Sequence, residues 1–586
     1  MKPTRSLSSL TGGPPLKRPH LSFNPLKVAT KEAADAVDAD PPLSKLIDIL
    51  KEGINHPMKG NAVVYWMRMS DLRLHDNHAL SLASKTAMQQ NIPLIVLFLI
   101  SPEDYIAHDR AARRIDFTLR NLEALRTSLS ETHIPLCTIT HTPRKTLPSR
   151  VISFLSGLGC YNLFGNIEYE LDEIRRDISV CKLAKLKGIG ATFVHNKCVI
   201  QPGAILTAQN KAYEVFSPYH RRWVKELNNK SEQYLSEYPF SHSNDKSMRT
   251  LAAFSDLFDC NVPESIMGFE LNADDKRVMI ECWPAGEVSA KALLQRFLTT
   301  KARHSQLGAV DPLNPGAEES RSMSRIASYC NDRDRADGDT TSRLSVYLSS
   351  GVLSARTCVR EILLLQQSHL VDGQGDSGIG RWLQELCWRD FYNIILAAHP
   401  RVSMGRPFHE KYSTIVWEES QEPEAGIDSN VLQRWKDGKT GVPVVDAAMR
   451  CINRMGWVHN RLRMISAMYL TKDLMVDWRL GERYFMEQLV DGDLATNNGG
   501  WQWCASTGVD ACPYFRIFNP YSQSSKVDPA GEFIRLWVPE LSKLSGSELY
   551  NPPGPIADRL GYPRPIITHE DARGRALRRF KHPGVC

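Results

Sequence analysis

The 586-residue chain lacks any apolar run near the ~20 residues that a membrane helix needs. Its longest, Ile92–Ile100, is strand-sized, so nothing in it reads as a membrane span. CxxC spacings are also missing, and the 13 cysteines are odd in number and thinly spread. That excludes a disulfide framework and a structural zinc site, and no metal is expected; it points instead to a reducing compartment. Acidic residues are absent from 1–31, which hold six Lys and Arg together with Pro3, Pro14, Pro15, Pro19 and Pro25. The prolines argue against a continuous amphipathic helix, so residues 1–61 are expected to be a disordered basic extension without a site. The Pro15–His20 run fits a nuclear address, and an acid-free start equally fits an organellar transit peptide.

What is present is ordinary in bulk and uneven in one respect. Hydrophobic residues at 42% and charged residues at 24% exclude a mostly disordered or fibrous chain, and the length calls for two or more domains. Lys and Arg exceed Asp and Glu by 72 to 66, a net charge of +6. Of the 12 tryptophans, nine fall between residues 382 and 537. Leu and Ile fill a core without an indole N–H to satisfy, so this density points to a use for aromatic planes.

From 62 to 200 short apolar runs at Ala62–Trp66, Leu94–Leu99, Leu136–Ile139, Asn162–Phe164 and Thr192–Val194 alternate with helical periods. These periods lie at Asp116–Leu129, Val151–Leu158 and Asp172–Leu186, and the alternation predicts a parallel sheet covered on both faces. Neither a GxGxxG nor a Walker A is read in the chain; Gly438-Lys439-Thr440 fails as a Walker A because position 433 is Gln. Residues 201–282 look like an irregular interdomain linker. From 283 to 582 helical periods dominate: Ala290–Leu298, Ser342–Gln366, Gly380–Ala398, Val442–Met455, His459–Val476 and Gly481–Val490. The expected fold class is an α/β N-terminal domain followed by an all-α C-terminal domain.

Three helical segments mix residue types in a way that suits a cavity. Trp382, Glu385, Trp388, Arg389 and Tyr392 share one helix face, as do Asn460, Arg463 and Met464, with Arg461 pointing elsewhere. An amphipathic helix with Trp anchors explains the first equally well, and an exposed basic helix the second. Asp491-Gly492-Asp493 is followed by Asn497-Asn498-Gly499-Gly500-Trp501-Gln502-Trp503, and its glycines would let a large ligand approach the backbone. If that segment is helical, Asn497 and Trp501 share a face and Trp503 lies about 200° away from Trp501. Its carboxylates have two open roles, acid–base work or pairing with Arg463. Thr341-Ser342-Arg343-Leu344-Ser345 opens a predicted helix, where hydroxyls and free N–H groups suit either an N-cap or a phosphate.

Together with Trp66–Arg73, Thr440–Arg450 and Gly456–Met464, these segments resemble the photolyase/cryptochrome family of flavoproteins from Val63 to about Lys581, most closely its class I cyclobutane pyrimidine dimer members. The resemblance implies a Rossmann-like sheet domain and a helical FAD-binding domain. It assigns FAD contacts to Tyr329, Thr341, Ser342, Arg343, Leu344, Ser345, Trp382, Glu385, Arg389, Tyr392, Arg463, Asp491, Gly492, Asp493 and Asn497. It implies UV-damaged DNA as partner and a monomer acting by light, in which excited reduced FAD lends an electron to a pyrimidine dimer flipped out of the helix. Trp388 and Trp503 match the residues that sandwich the dimer, while Glu385, Asn460 and Met464 match its polar and soft contacts. Arg333, Arg461 and Arg516 match residues that hold phosphates. Trp501, Trp478 and Trp417 match an electron-hopping chain, which leaves Trp435, Trp457 and Trp537 for packing.

The resemblance also implies an antenna chromophore, expected to be 5,10-methenyltetrahydrofolate and held by Asp172 and Glu173. Two departures stand against a folate: the family has Asn before that Glu, and a Cys-Lys pair where this chain has Ser403-Met404. A deazaflavin or an empty antenna site is the alternative. The competing reading is a signalling cryptochrome; the short basic segment 572–582 after the helical domain, in place of a long tail, weighs toward repair. The expected location is the nucleus, with the mitochondrion as a second address.

Overall fold

The computed structural model describes residues 28–53, 58–240, 242–303, 307–373, 375–418 and 431–585; the Pro15–His20 run lies outside them. Five parallel strands, β1 (Val63–Met67), β2 (Leu94–Ile100), β3 (Leu136–Thr140), β4 (Asn162–Asn166) and β5 (Gly190–Val194), form one sheet. Their order is β3-β2-β1-β4-β5, with Val63 opposite both Leu94 and Asn162. The central strands β1, β2 and β4 are buried throughout, which is why β1 and β2 run apolar without alternation, while β4 buries Asn162 and Asn166 at its ends. Helices Ala112–Glu131, Leu147–Leu158 and Leu171–Leu186 contain the three expected periods. From 283 onward the regular elements among the described residues are helices, apart from an isolated bridge between Thr300 and Glu319. Among the described residues no helix is long and apolar enough to cross a membrane, and no group of three or more His, Cys, Asp and Glu is placed to hold a metal ion.

Four expectations are corrected. Residues 1–61 are not disordered throughout, because Lys31–Ala39 and Pro42–Lys51 are helices. Thr30 caps the first by accepting from Ala33 N, and Arg401 anchors it through Asp35 and Asp38. The second buries Pro42 and Leu46 and packs on helix Leu171–Leu186. The linker 201–282 is largely structured. It contains helix Phe216–Asn229, whose Trp223 donates to Asp390 of helix Gly378–Ala398 (3.1 Å). Asp390 also accepts from the backbone N–H groups of Val199 and Ile200, which ties the end of the α/β segment to the helical layer. The expected helix Ser342–Gln366 is broken into Ser345–Ser349 and Ala355–Gln366. Gly351 stands at the break with φ of 68°, and a Cβ there would collide with the Ser70 backbone, so the two layers meet at this glycine. The expected helix His459–Val476 ends at Met468 and passes into a wider π-type turn, Tyr469–Asp473. The spacing Gly373-Gln374-Gly375-Asp376-Ser377-Gly378 is a GxGxxG, but it opens an amphipathic helix with no strand before it and is no dinucleotide fingerprint.

Candidate active site

Helices Gly378–Ala398, Asn460–Met468 and Leu494–Ala505 position the residues singled out above, with Leu494–Ala505 packed against both others. Close approach is built in by glycine: a Cβ on Gly499 would overlap the Tyr392 ring, and one on Gly481 would overlap the Trp501 ring. Leu494–Ala505 begins at Asp493, whose side chain accepts from Thr496 N (3.0 Å). The segment is therefore helical, as the spacing argument required, with Trp501 buried and Trp503 half-buried.

One wall of the site is buried and charged. Arg463 donates to Asp491 Oδ2 (2.8 Å), so that carboxylate pairs with Arg463; Asp493 pairs instead with Lys197 (2.9 Å), which also meets Glu170 (3.2 Å). Burial pushes the Asp493 carboxyl up, but Lys197 and Arg389 outweigh it and hold the group well below the usual carboxylate range. Arg389, expected on the flavin, donates to the carbonyls of Lys197 (2.6 Å) and Leu348 (3.2 Å) and so braces this wall. Arg343 is buried with φ of 53° beside Asp339 (2.8 Å). Ser345 accepts from the indole of Trp457 (3.1 Å), which gives Trp457 a contact at the site beyond packing. Thr341 and Ser342 are half-buried and Leu344 fully buried. Tyr329 and Trp382 are buried around Phe297, with ring centroids 5.7 and 5.0 Å away. The Gly492 carbonyl accepts from Arg110 (3.3 Å).

The second wall is half-open. Trp388 stacks face to face on Phe216 at 3.6 Å and 6°, and lies 5.5 Å from Tyr392. Glu385 pairs with Arg333, and Arg461 with Asp334 (2.5 Å). Burial pushes the Glu385 carboxyl up and Arg333 pulls it down, for a net rise. Asn460 is exposed, with its amide 3.8 Å from Met464 Sδ, and Arg516 is exposed beside Phe515. Asn497 donates to the Glu482 carbonyl (2.9 Å).

Trp417, Trp478 and Trp501 are all buried. Trp501 touches Phe485 (4.9 Å) and Trp435 (6.0 Å), and Trp417 touches Phe580 (6.1 Å). Asp172 and Glu173 open helix Leu171–Leu186, where His108 reaches Glu173 (3.3 Å) and Arg144 reaches Asp172 (3.0 Å). Glu173 lines a cavity of about 60 Å³ with Arg68 and Arg176, at the carboxyl ends of β1 and β2. The Met404 carbonyl accepts from Ala29 N (3.0 Å), so the N-terminal segment covers the Ser403–Met404 stretch.

Sequence reasoning missed Lys197, Phe216 and Glu482. Glu482 accepts from Asn498 Nδ2 (2.8 Å), and burial pushes its carboxyl up to about 7. No local signal marks any of the three, because each acts on a partner from a distant segment.

Two observations fit a large polar cofactor against the charged wall. Asp491 Oδ1 is buried with no hydrogen-bond partner. Beside Asn497 on its helix, a Cβ on Gly500 would meet nothing within 4 Å.

The comparisons agree with this architecture. The family described as DNA photolyase matches residues 63–237, and that described as FAD binding domain of DNA photolyase matches 382–582. A Neurospora crassa deoxyribodipyrimidine photo-lyase is 41% identical over 537 residues, 89% of this chain and 81% of that protein. The Escherichia coli protein of the same name is 35% identical over 88% of this chain and 98% of its own length. A class III photolyase from Agrobacterium tumefaciens superposes with a TM-score of 0.71 at 26% identity, over 90% of this chain and 98% of that one. The sheet layer and the helical FAD-binding layer define a flavoprotein of the photolyase/cryptochrome fold. Within that class, the chain belongs to the DNA photolyase family.

Proposed function

We propose that this enzyme repairs cyclobutane pyrimidine dimers in DNA, driven by light and working with reduced FAD. The observation that carries the reading is that three packed helices bring together a buried, ion-paired cluster and a half-open aromatic one. Tyr329, Thr341–Ser345, Trp382, Arg463, Asp491, Asp493 and Asn497 would hold the flavin. When bound, it supplies the electron that light excitation releases.

The chain's own residues do the rest. The Glu482 carbonyl takes the Asn497 amide N–H, which leaves the amide oxygen as the end able to accept a hydrogen bond. Phe216 covers one face of Trp388, so the opposite face and Trp503 are the planes available to a flipped-out dimer. Extrusion costs a few kcal/mol, less at a damaged pair, and stacking at about 1–3 kcal/mol per base offsets much of it. Arg333 and Arg461 pair with half-exposed carboxylates, and such pairs are weak enough to exchange for DNA phosphates. Trp501, Trp478 and Trp417 are proposed to carry electrons to an oxidised flavin.

An antenna is proposed at the strand ends beside Glu173, a position where α/β sheets bind ligands. The cavity there is small and open to solvent, so an antenna is proposed to lie at its mouth. A photolyase from Sulfolobus tokodaii was solved with two FAD molecules, which supports a flavin as an alternative to a folate. An absorption spectrum of the purified protein separates them. The yeast relative is named mitochondrial; nuclear or mitochondrial delivery by residues 1–27 is proposed and read with a fluorescent fusion. A monomer is proposed, checked by light scattering.

The direct test is repair. Reduced protein and dimer-containing oligonucleotide under blue light should give dimer-free DNA, and the same mixture in the dark should not. Intact dimers after illumination, with FAD bound and reduced, would overturn the proposal.

A further inference from the structure

Most cysteines of the described chain are buried, but Cys260 is partly exposed and lies against a second thiol. Its Sγ is 3.9 Å from Sγ of Cys137, the second residue of edge strand β3. Cys260 caps the short 3-10 helix Ser255–Asp259, part of a segment laid along that edge. An open strand edge invites pairing with other chains, and here the segment covers it. The cover is pinned at both ends. Asn244 exchanges hydrogen bonds with the Leu94 backbone at the start of β2 (2.8 and 2.9 Å), and Thr138 Oγ1 donates to the Asn261 carbonyl (2.8 Å).

The two thiols are unequal in a useful way. Cys137 is 1% exposed, and the neighbouring Cys260 sulfur together with burial holds its thiol well above the usual range. The contact with Cys137 lowers the Cys260 thiol, against burial and the neighbouring Asp259, so the accessible sulfur is the one placed to react and the buried one to resolve. A disulfide bond is about 2.05 Å long, so the sulfurs must approach by about 2 Å. The irregular Cys260 segment can supply that movement, because β3 is held in the sheet.

We propose that Cys137 and Cys260 are a redox modification site, closing to a reversible disulfide when a hydroperoxide reaches Cys260. The Cys260 thiolate attacks the peroxide O–O bond, takes one oxygen as a sulfenic acid and expels hydroxide. The Cys137 sulfur then attacks the Cys260 sulfur and its proton leaves with the sulfenic oxygen as water, while the proton that Cys260 gave up on ionising neutralises the hydroxide. Two thiols lose two electrons and the peroxide becomes two waters, with no further reactant. The product latches the covering segment to the sheet edge, away from the helical site.

The test uses the full-length, FAD-loaded protein. It is exposed to hydrogen peroxide, its remaining thiols are blocked with N-ethylmaleimide in denaturant, and it is digested without reductant for mass spectrometry. The expected product is a Cys137–Cys260 peptide pair lighter than the two reduced peptides by two hydrogens and separated by dithiothreitol. Cys330, partly exposed with its Sγ on the Gly375 carbonyl, is the internal control and should react more slowly. In Cys260→Ser the cross-link should vanish and Cys137 should stay reduced. In Cys137→Ser the Cys260 sulfenic acid should persist and be trapped by dimedone. The proposal is overturned if wild-type Cys260 is trapped as sulfenic acid with Cys137 still reduced, or if Cys260 reacts no faster than Cys330.

Discussion

The two walls of the active site differ in how firmly they are set. On the buried wall the carboxylates are nearly inaccessible, Asp493 at 9% exposed and Asp491 at 3%, and so is Lys197 at 4%, while Arg463 at 22% is as open as Arg461 on the other wall. On the lesion wall Glu385 is 34% exposed, Arg333 30% and Asp334 47%. A desolvated pair is costly to break because it leaves a buried charge behind. A pair in contact with water contributes little and is easily exchanged. One wall is thus fixed before any ligand arrives, and the other holds its arginines on carboxylates that a phosphate can displace.

The sharpest way to break this contrast is at Lys197. Lys197→Met leaves Glu170 and Asp493 as unpaired buried carboxylates, at a cost of about 3–5 kcal/mol. Thermal denaturation should show that loss together with low FAD occupancy; a lesion-wall change of the same kind, Arg461→Ala, should show neither. Next in size, Trp503→Ala should weaken binding of dimer-containing DNA by about 1–3 kcal/mol while the flavin spectrum stays intact. The contrast fails if flavin is lost as well.

Glu482 sharpens the cofactor side through pH. Its folded-state carboxyl is raised to about 7 from an ordinary 4.5, so the folded protein binds more protons than the unfolded chain between those values. Stability should therefore fall as pH rises from about 4.5 to 7, by on the order of 3 kcal/mol from this group alone. Glu482→Gln should remove that component from the pH dependence of urea unfolding, and an unchanged slope would count against the buried carboxyl. The smallest effect belongs to exposed Arg516. Arg516→Ala should lower the salt slope of DNA binding by about one and leave sequence preference unchanged.

Legibility in the sequence followed the range of the interaction. The five strands were readable to within a few residues because a doubly covered parallel strand must be apolar throughout, and that pattern is local. The helix Leu494–Ala505 was only a conditional reading, because its two glycines and two asparagines blur the helical period, and its Asp493 cap shows in the structure. The break at Gly351 was not, because its cause is the Ser70 backbone from the sheet layer. Phe216 was hidden in a stretch read as linker, and only folding lays it on Trp388. The helices at Lys31–Ala39 and Pro42–Lys51 were masked by the basic, proline-rich residues before them, although Thr30 and the apolar positions of 43–50 carried a signal.

The division into a fixed wall and an open wall is tested most directly on Trp388→Ala, with flavin absorbance and affinity for dimer-containing DNA measured on the same preparation. The account predicts full flavin occupancy with lesion affinity reduced about tenfold or more. Loss of flavin with this substitution, or unchanged lesion affinity, would contradict it.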